Sequence, residues 1–511
     1  MFRTTLLAAF LITPTALATD HYVNALSGPH LTIQSAIVAA SPGDRVLIED
    51  IGMVTDYVED IDFLGKDIVV RSAPSNAFEV AIVGTGTGPV VTMRSGETTA
   101  AQLRSLYVKG GASTYGGGIL IENSGATIMN VLVNHCTADF GGGIAIINSS
   151  ALLAHVGVEQ NNEAGSGFYG VAGGGIYTEN SKVKMKGGWV DLNRAMEGGG
   201  MYSIGSTLEF HHTKFALNEA DSGGGIYLDT SLGDANFVRC EFLENLVQPT
   251  AAAAPSVGSG AMLFESSAKF FFSKFDENRN LNGPGGGIAA NYATLLLEDS
   301  EIARCSSEQG GGLALKRSKA AVVRSNIMLN EATRQGGGVY TDQSSCFLYA
   351  EQTRFNDNTA WTGGGICAGE GSSFLLTQTE IRGNAAEWGG GVFADGNSGT
   401  RTIHSSNVVQ NDAANNGGGI YVQRLAPFAV IGQSYIQNNR AGFDGGGVWA
   451  FAADFLLQDS FCCFNNAAGI GGGLRSFWCA PVLDASVISN NLPTDVDGSY
   501  VDLASSIGGG C

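Results

Sequence analysis

The sequence is poor in proline, with 11 in 511 residues, and poor in charge, with 15% Asp, Glu, Lys and Arg. So little proline argues against a Pro-rich disordered chain or a collagen-like one. A hydrophobic content of 44% excludes wholesale disorder. Basic residues are the scarcer sign, 28 against 48 acidic, for a net charge of −20. That balance argues against wrapping nucleic acid or docking on an anionic membrane surface. Past the N-terminal stretch no apolar run reaches about 18 residues, so no membrane-spanning helix is expected in the mature chain. Nine cysteines occur without any CxxC pair, which gives no zinc framework. Most are expected as small buried residues, with room for one or two disulfides.

Glycine is what the chain has in excess: 73 residues, about twice the ~7% of average usage. Without a three-residue period, that excess has to serve a recurring backbone need. Triple glycines begin at Gly116, Gly141, Gly173, Gly198, Gly223, Gly285, Gly310, Gly336, Gly363, Gly389, Gly417, Gly445 and Gly471, and Gly258-Ser259-Gly260 fills the conspicuous gap. Eleven of the thirteen spacings lie between 25 and 28 residues; the other two, 32 and 35, are that length plus a loop. A second landmark follows each triplet by about twenty residues: small-polar, any, apolar, any, any, Asn, as in Ser325-Asn-Ile327-Met-Leu-Asn330. Its Asn column is Asn161, Asn193, Asn218, Asn245, Asn278, Asn330, Asn358, Asn384, Asn411, Asn439, Asn465 and Asn491, with Cys136 and Cys305 in the two remaining units.

Between the landmarks lie β-prone stretches of four to six residues with alternating apolar positions, such as Thr207–Phe210 and Tyr292–Leu297. Three such strands make a coil that cannot bury its apolar face alone. Stacked coils pair strand on strand at about 4.8 Å and enclose one core. The predicted fold is therefore all-β, a single-stranded right-handed parallel β-helix, in which the Asn column forms a hydrogen-bonded structural ladder. Glycines are expected at the tightest corner, where φ is positive or a Cβ has no room. A flexible linker would not recur in phase with Asn, and a phosphate loop would need a following helix.

Met1–Ala18 reads as a secretory signal peptide, with Arg3, an apolar run from Leu6 to Ile12 and the small-x-small site Ala16-Leu17-Ala18. Residues 19–115 are read as an N-terminal cap and first coils, 116–491 as the glycine/Asn repeats and 492–511 as a C-terminal tail. Leu31–Ala40 places Ile33, Ala36, Ile37 and Ala40 on one helical face and is stopped by Ser41-Pro42-Gly43. A short helix there would cover the open end of the first coil. The expected location is secreted or at the cell surface.

The GGG-aliphatic units paired with Phe/Ile-x-x-Asn resemble, over residues 116–491, the repeats of chlamydial polymorphic outer membrane proteins, whose pattern is GGA-aliphatic with FxxN. That resemblance implies a surface adhesin; the residues after Asn491 are too few for the autotransporter barrel those relatives carry. Thr32–Ile37, Pro42-Gly-Asp44, Val46–Ile48 and Phe63–Ile68 are similar to the start of bacterial β-helix proteins of the pectin-lyase-like superfamily. That superfamily holds polysaccharide lyases, hydrolases and esterases beside members without known activity.

Its catalytic motifs do not occur here: no Gly-His-Gly with paired Asp, no Asp-Pro-His-Glu, and only a loose echo of Gly-x-Tyr-x-Glu in Val54–Glu59. No catalytic, cofactor or metal residue is assigned. His211-His212 on a strand would point to opposite faces and cannot share a metal, and Cys462 of Cys462-Cys463 falls at a core position. Asp139, Glu197, Asp221, Glu308, Glu387 and Asp444 shortly precede glycine triplets, as a stripe that would recruit Ca²⁺ or as a solvated corner. Two insertions, Asn162–Ala172 and Leu246–Val257, would wall a shallow surface over the coils from Gly173, Gly198 and Gly223. The functional expectation is a structural, adhesive or binding role, with a glycan or surface protein as partner and no nucleic acid. The alternative is a carbohydrate-active lyase or hydrolase on the same scaffold.

Overall fold

The structure, a computed structural model, describes residues 18–50, 56–73, 80–162, 170–230, 235–249, 256–342, 345–424 and 427–508. The signal peptide up to Leu17, Phe168 and Tyr169 of the first insertion and Ala251–Ala254 of the second lie outside the described residues.

One coil shows how the sequence turns the chain. Gly336 opens it with φ +65°, and Val339–Asp342 forms the post-glycine strand. Phe347–Glu351 and Arg354–Asn356 follow on a long second face, separated by Gln352 in the left-handed region at φ 51°. Asp357, at φ 53°, makes the next bend; Asn358 and the pre-glycine strand Thr359–Thr362 then lead to Gly363. Single left-handed residues let the chain change direction within one peptide, so each coil closes three faces with few loops. Every strand pairing between coils is parallel, as in Val339↔Ile366, Leu348↔Phe374, Phe355↔Ile381 and Thr359↔Ala385. The chain is an all-β, right-handed parallel β-helix with one short N-terminal helix.

Because residues one coil apart stack, the core is a set of columns. Phe215, Phe242 and Phe275 are fully buried, the last two with ring centroids 4.4 Å apart and nearly coplanar. Each such side chain contributes on the order of 1.5–3 kcal/mol by leaving water. The first glycine of each triplet has φ between 61° and 78°, but the two that follow do not. Those two are excluded from other residue types by space: a Cβ on Gly337 would lie 2.4 Å from Thr359 O and 2.5 Å from Gly364 O in the next coil. Positive φ thus explains one glycine in three, and contact between successive coils explains the others.

The helix is Ile33–Ala39, shorter than the amphipathic segment, since Ala40 is already extended at ψ 147°. Thr32 caps it by accepting from Ser35 N at 3.1 Å, and Glu59 accepts from Ile33 N and Gln34 N at 2.7 and 3.0 Å. Its buried face, Ile33, Ala36 and Ile37, closes the core at the first coils. Beyond Asn491, Val496–Asp497, Val501–Leu503 and Ser506–Ile507 pair in parallel with the preceding coil, so the chain continues winding there.

Candidate functional site

Strand alternation points the second residue of each post-glycine strand outward. In register, that column runs Tyr177, Tyr202, Tyr227, Met262, Ala289, Ala314, Tyr340, Cys367, Phe393, Tyr421, Trp449. Its aromatic members stack: Tyr177 on Tyr202 at 5.8 Å, Tyr202 on Tyr227 at 5.2 Å, Phe393 on Tyr421 at 4.9 Å and Tyr421 on Trp449 at 4.4 Å. At Met262, Ala289 and Ala314 the rings are missing, and the surface sinks into a cavity of about 620 Å³. Tyr227 borders one end and Tyr340 the other; Ser256-Val257 and Asn282–Pro284 form a rim. Tyr227 to Tyr340 is four coils, roughly 19 Å at the interstrand spacing.

Carboxylates surround this cleft. Glu197, Asp221 and Glu308 reach it from the pre-glycine corner, and Asp342 and Lys316 from the fourth position of the post-glycine strands. Two tyrosine hydroxyls are already committed to neighbouring acids: Tyr202 donates to Asp229 at 2.7 Å and Tyr177 to Glu179 at 2.9 Å. Burial first, then the adjacent carboxylates, pushes the hydroxyls of Tyr202, Tyr227 and Tyr340 above the usual tyrosine range. Glu197 is held above the ordinary glutamate value, chiefly because it is withdrawn from water and secondarily because Asp229 repels its charge. Arg334 pairs with Glu308 at 2.8 Å, and Gln309 Nε2 donates to Gln335 Oε1 at 2.8 Å. The Asn291 side-chain amide oxygen, Oδ1, is shielded from solvent and has no partner. A concave, partly apolar surface of this volume with a few polar groups suits a small molecule or a few sugar units.

The asparagines of the repeat lie elsewhere, inside the coil. All twelve are at most 5% exposed. Asn358 Nδ2 donates to Asn384 Oδ1 and to Ile327 O, both at 3.0 Å, while its Oδ1 accepts from Asn330 N and Nδ2, both at 3.0 Å. The run from Asn161 to Asn278 passes through Cys305 and resumes at Asn330, since Cys305 N donates to Asn330 Oδ1 at 3.0 Å. Asp495 receives the last rung, accepting from Asn491 N and Nδ2 at 2.9 Å. His211 bonds Glu209 at 3.0 Å, whereas His212 occupies a left-handed bend, φ 52°, and faces solvent. Cys462 is buried, and Cys463 is disulfide-bonded.

The acidic residues preceding the glycines align along one corner, but several are individually tied: Glu308 to Arg334, Glu387 to Asn415 Nδ2 at 2.8 Å, and Asp444 to Ile470 N at 3.0 Å. Among the described residues no three His, Cys, Asp or Glu side chains gather as metal ligands. The cleft is also displaced from the surface expected over the coils from Gly173 to Gly223. Loss of ring stacking on the sheet opens the space, and Ser256-Val257, the end of the second insertion, stand at its rim. The tyrosine column went unread in the sequence, although Gly-Gly-aliphatic-Tyr recurs at Tyr177, Tyr202, Tyr227, Tyr340 and Tyr421.

Residues 117–294 and 286–456 match the family described as "Right handed beta helix region". No curated protein matches the chain. Among solved structures it is similar to ORF18 of Geobacillus virus E2, at 11% identity over 61% of this chain and 55% of that one, TM-score 0.30. It is similar to a mutant of the periplasmic alginate epimerase AlgG, at 9% identity over 76% of each chain, TM-score 0.28. A third is a mannuronic acid specific polysaccharide family 6 lyase from human gut microbiota, at 11% identity over 95% of this chain and 91% of that one, TM-score 0.21. The chain spans about 55% of the length of the first of these.

Proposed function

The chain belongs to the right-handed β-helix family, and from that premise we propose that it is an extracytoplasmic protein that engages a glycan in the cleft between Tyr227 and Tyr340. One observation carries this reading: an outward column whose rings stack from Tyr177 to Tyr227 gives way to Met262, Ala289 and Ala314 before Tyr340, leaving a ring-bordered, carboxylate-rimmed cavity. Aromatic rings offer flat apolar faces to sugar C–H groups, and fixed carboxylates accept from sugar hydroxyls. The leader-like N-terminus and the disulfide at Cys463 fit an oxidising, exported setting. Binding of this kind serves adhesion as well as processing.

A glycan array probed with the mature protein, and again with Ala289→Tyr/Ala314→Tyr, tests the proposal. Rings at 289 and 314 would continue the stack and fill the cleft. Binding by the parent and its loss in a folded double variant are expected; equal binding by both would remove the cleft from consideration.

A second reading is glycoside hydrolysis, favoured by Glu197. Hydrolysis needs one carboxyl group that keeps its proton and a second that is ionised. Glu197, raised first by burial and then by the nearby Asp229, suits the first role. Release of reducing sugar from a bound oligosaccharide, abolished in Glu197→Gln with binding retained, would establish it. Persistence of release in that variant would refute it.

A further inference from the structure

We infer that Cys463 is joined to Cys511 in a disulfide that latches the last winding of the β-helix to the coils beneath it. The link is remote from the cleft and does not rest on the glycan reading.

Counting the cysteines names the partner. The chain has nine, and Cys463 is disulfide-bonded. Seven others, from Cys136 to Cys479, are free. That leaves Cys511, which lies outside the described residues. A cysteine of a second copy is excluded by burial, since Cys463 is 0% exposed within the single chain.

The described residues bring the chain within reach. Val487–Ser489 pairs in register with Phe461–Cys463 below, and Val487 and Ile488 pair with Ser506 and Ile507 above, so Cys463, Ser489 and Gly508 follow one column. Gly508 N donates to Ile488 O at 2.8 Å. Two interstrand steps, roughly 9.6 Å, separate Gly508 from Cys463. Three further residues extend about 10 Å, and the Cα atoms of a disulfide lie about 4.4–6.8 Å apart, so Cys511 can close the distance. Gly508 has φ 75°, and this left-handed bend comes one residue earlier in the register than those at Phe464 and Asn490, φ 57° and 61°. Burial adds an independent sign. Small residues in this outward column are flanked elsewhere by longer ones, as Ala303 is by Asp276 and Met328. Ser489 has only Cys463 below and Gly508 above, yet it too is fully buried. A segment crossing from Gly508 to Cys463 accounts for that cover.

The bond has something to hold. Val501–Leu503 and Ser506–Ile507 pair on one side only among the described residues, and Val501, Leu503 and Ile507 are exposed. An open edge of this kind is the first part of a solenoid to fray. A bond back to the coil from Gly445 closes a ring through residues 463–511 and restricts that opening. Closure oxidises two thiols: each sulfur gives up one proton and one electron, and the disulfide of an exported thiol oxidoreductase takes up both pairs and becomes a dithiol. Neighbouring Cys462 does not compete, because it sits in the core and burial pushes its thiol up to about 12.

The test is peptide mapping of protein exported by its expression host, alkylated in denaturant without reductant, then cleaved after arginine and before aspartate. Peptide 459–475 holds Cys462 and Cys463, 476–483 holds Cys479, and 502–511 holds Cys511. Peptides 459–475 and 502–511 should be joined, with 476–483 alkylated, and Cys463→Ser should abolish the join. An alkylated 502–511, its linkage to 476–483, a join that survives Cys463→Ser, or a disulfide-linked dimer would each overturn the pairing. Hydrogen exchange reads the latch: Cys511→Ser should speed exchange across residues 496–507 at least about tenfold and leave 339–368 unchanged. Equal exchange across 496–507 in parent and variant would overturn the latch.

Discussion

Truncating Asn358 to alanine gives the sharpest test of how the coils are held together. Asn358 is fully buried and makes four side-chain hydrogen bonds, two as donor and two as acceptor. Not all four losses matter equally. Asn330 Nδ2 retains Ile302 O at 3.0 Å, and Asn384 Oδ1 retains the backbone N–H of residue 358 at 2.9 Å. One group is left with nothing, the Asn330 backbone N–H; the Ile327 carbonyl oxygen keeps its place in the parallel ladder with the strand of Phe355. At about 1–3 kcal/mol for a buried unsatisfied group, the expected loss is about 2 kcal/mol, before any cavity cost. Solenoid contacts are between nearest neighbours, so the damage should stay within the coils from Gly310 to Gly363. Hydrogen exchange resolved by peptide is the appropriate assay, because a long repeat array need not unfold in one step. Faster exchange of the Asn330 amide, with residues 119–147 unaffected, is expected. A loss below about 1 kcal/mol with the Asn330 amide still protected would mean that the column is ornamental and that the sheets alone hold the coils. Asn358→Asp should be worse than alanine, since it removes both donors and buries a charge against two oxygens; aspartate is accommodated at Asp495 because that rung only accepts.

The two kinds of glycine should separate on substitution. Gly336→Ala strains a φ of +65° and sets a Cβ 2.3 Å from Val339 O, and Gly337→Ala meets two carbonyls of the next coil; each should lower stability by at least about 1 kcal/mol in urea unfolding. Gly336→Asn, which tolerates left-handed φ, should fare slightly better than Gly336→Ala, but its Cβ still meets Val339 O, so full recovery at either position would contradict the steric account. Asp44 accepts backbone bonds from Ser41 and Thr19 at 2.8 Å and faces His21, which lowers its carboxyl to about 2 from 3.8. A depressed native value stabilises the fold above pH ~4 and is lost as pH falls towards 2, so the stability gap between parent and Asp44→Asn should shrink over that window in an acid titration. A gap independent of pH would refute the assignment. If the cleft is a binding surface, Tyr340→Ala should weaken glycan binding on the array several-fold; with its ring 9% exposed it should also cost roughly 1–3 kcal/mol, less than the about 3–5 kcal/mol of Phe355→Ala in the core.

The architecture was legible because its causes recur: a glycine every 25–28 residues and a buried Asn between them leave a periodic trace that needs no alignment to find. The reason for each glycine was less so. A sequence does not state φ, and a carbonyl of the next coil 2.4 Å from an absent Cβ becomes visible only once coils are stacked. The cleft was harder still, because it is made by what is missing from a column. Ala289 and Ala314 look like ordinary small residues until register sets them between Tyr227 and Tyr340. Of its acids, Glu197, Asp221 and Glu308 stood out by position before glycine, but nothing in their spacing distinguished them from Asp139 or Asp444. That distinction depends on which outward rings lie beside them.

The parallel register has a consequence for how such a molecule changes over generations. Because Val339↔Ile366 and its equivalents pair coil to coil without offset, duplicating or deleting one whole unit leaves every other pairing as it was. Length is therefore inherited in whole steps, like beads added to a string. The gap between Tyr227 and Tyr340 is subject to the same arithmetic: a lineage can lengthen it by a coil or close it by one, so its length should vary across relatives as a whole number of coils.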